Sequence, residues 1–159
     1  MTKTRQILGL IVALAVTFAA AGIGSVFTSE SVGTWYQEIE KPSWTPPGWL
    51  FGPVWTTLYT LMAVAAWLVW RNEGWGGARL ALGLYLVQLV LNAAWSAIFF
   101  GARMPGLAFV ELVVLWLAIV ATTAAFFRKS VPAGVLLVPY LAWVTFAGVL
   151  NFTLWRMNA

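Results

Sequence analysis

The chain has 159 residues, 62% of them hydrophobic and only 9% charged, with a formal charge of +4. No soluble domain of this length can hide that much apolar surface, so lipid is the solvent for most of it. The chain has no cysteine and no histidine, which excludes disulfides, thiol nucleophiles, thiolate or imidazole metal sites, His-ligated haem and His-based triads.

Five apolar segments follow one another: Ile7 to Phe27, Leu50 to Trp70, Leu80 to Phe100, Gly106 to Phe127 and Val131 to Trp155, of 21 to 25 residues each. At about 1.5 Å rise per residue, each can cross a hydrocarbon core of roughly 30 Å. The pattern predicts an all-α integral membrane protein, one transmembrane domain over 1–159, built as a bundle of five transmembrane helices. Lys3 and Arg5 ahead of the first segment suit a signal peptide, but the length of the run predicts a retained helix. Connections are short at Arg71 to Arg79, Gly101 to Pro105 and Arg128 to Ser130. Only the first loop, about 28–49, is long. Pro53, Pro105 and Pro132 fall at or near predicted helix starts, where a missing N–H costs least. Pro139 lies inside the fifth segment, where a kink would free a carbonyl toward the bundle interior.

The basic residues sit at segment ends rather than in a patch, which suits membrane orientation and not nucleic acid. Lys3, Arg5, Arg71, Arg79, Arg128 and Lys129 fall on one side; Lys41, Arg103 and Arg156 fall on the other. The positive-inside bias predicts a cytoplasmic N-terminus, with the C-terminus and the long loop outside.

That loop is the one long polar interruption. Pro42, Pro46 and Pro47 exclude regular helix over Lys41 to Gly48. Its Trp35, Trp44 and Trp49 fit an interfacial aromatic belt on a plain connector. They fit equally a lid or site wall, where a proline-stiffened backbone loses little entropy on closing. Both readings stay open on the residues alone.

Three segments present aromatic faces at helical spacing. The second carries Phe51, Trp55 and Tyr59 every four residues. The third carries Gln88, Asn92, Trp95, Ser96 and Phe99 on one face, and the fifth carries Tyr140, Trp143, Ala147 and Asn151. Polar side chains within hydrocarbon face the bundle interior or a cavity. The bland account is interhelical hydrogen bonding; three converging faces beside a Trp- and Pro-rich loop point instead to a pocket for a flat apolar ligand. Glu111 is the one acid within a segment, about one and a half turns in, and is expected to be interfacial or a neutral, hydrogen-bonded carboxyl. Gly9 with Ala13, Ala20 with Gly24, Ala93 with Ala97, and Ala121 with Ala125 offer close packing faces, within the chain or in a homodimer.

The run from Trp35-Tyr36 to Lys41-Pro42-Ser43-Trp44-Thr45-Pro46-Pro47, then Val54-Trp55-Thr56, Gln88 with Asn92-Ala93-Ala94-Trp95-Ser96, and Pro139-Tyr140-Leu141-Ala142-Trp143 with Asn151, resembles the translocator protein or tryptophan-rich sensory protein family (TspO/MBR, relatives of the peripheral benzodiazepine receptor). The resemblance covers nearly the whole chain. It implies five packed transmembrane helices, commonly a homodimer, and a pocket beneath the first loop that takes porphyrins, sterols or synthetic aromatic drugs. Carried over by motif, the ligand-binding residues would be Tyr36, Pro46, Phe51, Trp55, Tyr59, Asn92, Trp95, Ser96, Phe99, Trp143 and Ala147. No resident cofactor or metal is expected; porphyrin enters as ligand or substrate. The resemblance leaves three roles open: light-dependent porphyrin degradation with Trp55 and Trp143 as the catalytic groups, transport of tetrapyrroles or sterols, and stress sensing through a partner protein. One departure stands out. The family's proposed cholesterol motif needs a Tyr shortly before a basic residue, and the run Leu150 to Arg156 has Phe152 and Thr153 instead, so sterol binding through that element is not expected.

Overall fold

A computed structural model describes all 159 residues. It is all-helical: α1 (Lys3–Ser31), a short α2 (Trp35–Glu38), α3 (Gly48–Ser96), a π-helical turn (Ala97–Gly101), α4 (Pro105–Lys129) and α5 (Val131–Met157). Four helices are long and apolar enough to cross a membrane, counting α3 with its π turn as one of 54 residues. The exposed surface is apolar along those helices, with Ile7, Ile11, Leu80, Val90, Leu117 and Val149 all open. That is the surface of a protein whose solvent is hydrocarbon. It is an integral, multi-pass membrane protein.

The predicted second and third helices are two arms of α3. Glycine is required where they meet: Gly74 has φ 64° and ψ −175°, a conformation that a Cβ would strain. A straight helix over Gly48–Gly101 would run about 80 Å. Folded at Gly74, the arms lie side by side, and Tyr59 on one donates to Asn92 on the other at 2.8 Å. α3 is the hub of the bundle, with α1, α4 and α5 all packed against it and α4 also packed on α5.

Helix ends follow local chemistry. The Thr2 hydroxyl accepts from the Arg5 N–H at 3.3 Å, and Ser130 accepts from Ala133 at 3.4 Å, both side chains satisfying amides that lack helical partners. Pro105 and Pro132 lie in the first turns of α4 and α5. Pro53 departs from expectation. α3 starts already at Gly48, after Pro47, so Pro53 sits in its second turn rather than at its start. Pro139 lies inside a continuous α5. The first helix runs four residues past the predicted Phe27, to Ser31, whose hydroxyl donates to the Phe100 carbonyl at 2.6 Å. That bond reaches a backbone loosened by the π turn.

The end of the bundle at the α3 fold is tightly packed. Ala63, Ala65, Ala78 and Ala133 are wholly buried there, and a Cβ on Gly9 would lie 2.1 Å from the Trp70 ring. The small faces at Gly9 and Gly24 are therefore used inside the chain, against Trp70 and Ser96. Arg5 lies 5.9 Å over the Trp70 ring, Arg71 lies 4.7 Å over Trp67, and Lys129 pairs with Glu73 at 3.1 Å. At the opposite end, Asn158 clasps the first loop. It accepts from the Glu40 N–H and donates to the Glu40 carbonyl, each at 2.9 Å.

Candidate functional site

Beneath the first loop the helices enclose a cavity of about 540 Å³ lined by 25 residues. Tyr59 and Asn92 in its wall open a hydrogen-bonded relay that continues behind the wall to Tyr140 and Gln88. Tyr59 donates to Asn92 Oδ1 at 2.8 Å, Asn92 Nδ2 donates to the Tyr140 oxygen at 2.7 Å, and Tyr140 donates to Gln88 Oε1 at 2.8 Å. Each amide and phenol holds its neighbour's orientation in a setting where an unpaired group costs several kcal/mol. Gln88 Nε2 is the one member left buried without a partner.

Aromatic rings form the walls. Trp55 lies 5.4 Å from Tyr59 and meets Tyr140 edge-on at 6.3 Å. Trp95 stacks on Phe99 at 5.0 Å and 20°, and Phe51 meets Trp143 edge-on at 6.0 Å. Trp95 is fixed further by its indole N–H, which donates to Asn151 Oδ1 at 2.9 Å, while Asn151 Nδ2 donates to the Pro105 carbonyl at 2.8 Å. Rings locked in this way keep their shape when the space between them is empty.

The first loop is the roof. Tyr36, Gln37, Lys41, Thr45, Pro46 and Gly48 face the cavity, and Tyr36 packs against Phe99 and Phe100. Burial pushes the Tyr36 phenol up from its ordinary value of 10, so it stays neutral. Trp44 closes the rim against Phe146 at 5.9 Å, whereas Trp49 is 74% exposed, as an interfacial anchor would be. The two readings of the loop thus apply to different residues of it.

All eleven residues expected to line a pocket stand in this one wall. Sequence reasoning missed the wall supplied by α1, where Ala21, Gly24, Ser25 and Thr28 complete the enclosure. Their small or hydroxyl side chains recur at helical spacing, a faint signal beside the aromatic faces. Glu111 corrects an expectation. It is outside the cavity wall, and both carboxylate oxygens are buried with no hydrogen-bond partner.

The TspO/MBR family model matches residues 11–156. The chain belongs to the TspO/MBR family. It is 45% identical over 156 residues to the tryptophan-rich protein TspO of Chlorobaculum tepidum, covering 97% of this chain and 98% of that protein. It is 47% identical over 138 residues to the human translocator protein, covering 86% of this chain and 82% of that one. It is also 43% identical over 149 residues to the tryptophan-rich sensory protein of Cereibacter sphaeroides, covering 92% of each. As in any member of a membrane family of this kind, function must be argued from the site.

Proposed function

We propose that this TspO/MBR protein is a membrane receptor for planar hydrophobic ligands of the porphyrin type. The observation that carries the reading is the cavity itself: about 540 Å³, walled by Phe51, Trp55, Tyr59, Trp95, Phe99 and Trp143. That volume lies within the range of small-molecule sites, which are mostly apolar with a few placed polar groups. Flat rings favour flat ligands, because offset stacking and edge contacts add to area burial. Asn92 and Ser96 supply polar atoms between the rings, and Gln37, Lys41 and Thr45 supply them at the roof.

In this reading the two arms of α3 each cross the bilayer, giving five crossings with the N-terminus in the cytoplasm and the cavity at the outer side. Support comes from the gathering of Arg5, Arg71 and Lys129 at the α3 fold, the end opposite the cavity. A reporter on the C-terminus that is active only in the cytoplasm would refute that orientation.

A catalytic reading is favoured by one feature. Trp55 and Trp143 both line the cavity, from α3 and α5. Oxidisable indoles beside a photoexcited porphyrin can donate an electron or trap the oxygen species it forms. Titration of the purified protein with protoporphyrin, followed by absorbance and fluorescence in darkness and then in light, tests both readings. Saturable binding in the dark supports the receptor. Bleaching in light faster than for free porphyrin adds the chemistry, and absence of saturable binding overturns the proposal.

A further inference from the structure

The cavity wall contains a single charged side chain, Lys41. Its ammonium donates to the Ile39 carbonyl at 3.1 Å and lies 4.8 Å over the Tyr36 ring. No carboxylate pairs with it, since the molecule's one ion pair is Lys129–Glu73 at the far end of the bundle. Tyr36, a neutral phenol, offers no countercharge either. An ammonium has three N–H donors, and the backbone carbonyl takes one.

The other polar side chains around the roof are already committed as donors. Ser25 donates to the Gly22 carbonyl at 2.9 Å, Thr28 to Gly24 at 3.1 Å and Thr45 to Pro42 at 2.8 Å. Gln37 donates through one amide hydrogen to Val32 at 3.0 Å. A ligand that brings an acidic group to this rim therefore meets one cation with free donors. The loop around it, stiffened by Pro42, Pro46 and Pro47, holds its position without further ordering cost.

We infer that Lys41 is the specificity residue of the cavity, selecting amphiphilic ligands whose flat apolar body enters between the tryptophans and whose carboxylate remains at the roof against its ammonium. This rests on the receptor reading above and adds to it the charge of the ligand. A charge-assisted contact at a half-buried site is stronger than a neutral one, and the body of the ligand contributes the rest through stacking.

The test compares protoporphyrin, a dicarboxylic acid, with its dimethyl ester, on wild type, Lys41→Gln and Lys41→Arg, each protein in neutral-lipid nanodiscs. Wild type is expected to prefer the acid by roughly tenfold, Lys41→Gln to lose that preference while holding the ester as wild type does, and Lys41→Arg to keep it. Ester binding unchanged by Lys41→Gln also shows that the variant is folded. Equal affinity of wild type for acid and ester overturns the role of Lys41 and leaves the receptor reading standing. Failure of wild type to bind either compound overturns both. Repeating the titrations with anionic lipid separates a cavity carboxylate from a headgroup phosphate. A preference for the acid that persists supports the proposal, and one abolished by anionic lipid assigns Lys41 to the bilayer surface and overturns it.

Discussion

The two ends of the bundle are built from opposite materials. Around the fold of α3, small side chains such as Ala63, Ala65, Ala78 and Ala133 are fully buried and let backbones approach until nothing is left between them. At the other end, rings as large as Trp55, Trp95, Phe99 and Trp143 surround about 540 Å³ of space. Bulk does not fill this molecule; it props it open. Rigid plates fixed edge-on or by hydrogen bonds cannot collapse into a void, whereas alanine and glycine faces close by moving whole helices. The relay from Tyr59 through Asn92 and Tyr140 to Gln88 marks the boundary between the two regimes.

Substitutions at each end should separate stability from ligand chemistry. The largest effect is expected from Trp55→Phe and Trp143→Phe, which keep most stacking surface but remove the indole. Each should retain porphyrin binding within about tenfold, or 1.4 kcal/mol, and lose most light-dependent conversion. If wild type and both variants bleach bound porphyrin at the rate of free porphyrin, the open end holds no chemistry of its own.

At the packed end, Gly9→Leu drives a side chain into the Trp70 ring and is expected to cost about 2–3 kcal/mol of stability. Thermal unfolding in detergent should show it, with ligand affinity of the folded protein unchanged. A loss of affinity without a loss of stability would erase the distinction between the ends.

Asn92→Leu strikes the boundary itself. It leaves the Tyr59 hydroxyl without its acceptor and removes the donor to Tyr140, so both stability and affinity should fall, stability by about 2 kcal/mol. Smaller still is Ala147→Thr, on the cavity wall one turn beyond Trp143. Its added atoms intrude on the ligand and should weaken planar-ligand binding by about 1 kcal/mol, measured by titration, with the unfolding temperature nearly unchanged.

The aromatic faces of the second, third and fifth segments were legible because rings at a spacing of three and four residues admit one interpretation, a face turned to something. The wall from α1 was not. Ala21, Gly24 and Ser25 look the same whether they touch a neighbouring helix or border empty space. The break between the second and third segments was legible too. Glycines at Gly74, Gly76 and Gly77 beside charged residues mark it, and the one left-handed residue, Gly74, makes it. Tyr140 and Gln88 could each be placed on a face, but their bond depends on how far α5 slides along α3. Glu111 shows the reverse error: the cost of burying a carboxylate argued for a partner, and the fold supplies none.

The clasp between Asn158 and Glu40 turns the question from how tightly a ligand is held to how quickly it comes and goes. Two exposed hydrogen bonds, worth about 1 kcal/mol each, leave that corner of the roof released on the order of a few per cent of the time. Asn158→Ala is therefore expected to raise association and dissociation rates together, by several-fold, while the dissociation constant stays put. Stopped-flow fluorescence reads this directly; unchanged rates would mean that traffic bypasses the roof and runs laterally between helices from the bilayer. Rates that rise together would show that the residence time of a bound molecule is governed by a corner of the protein that never touches it.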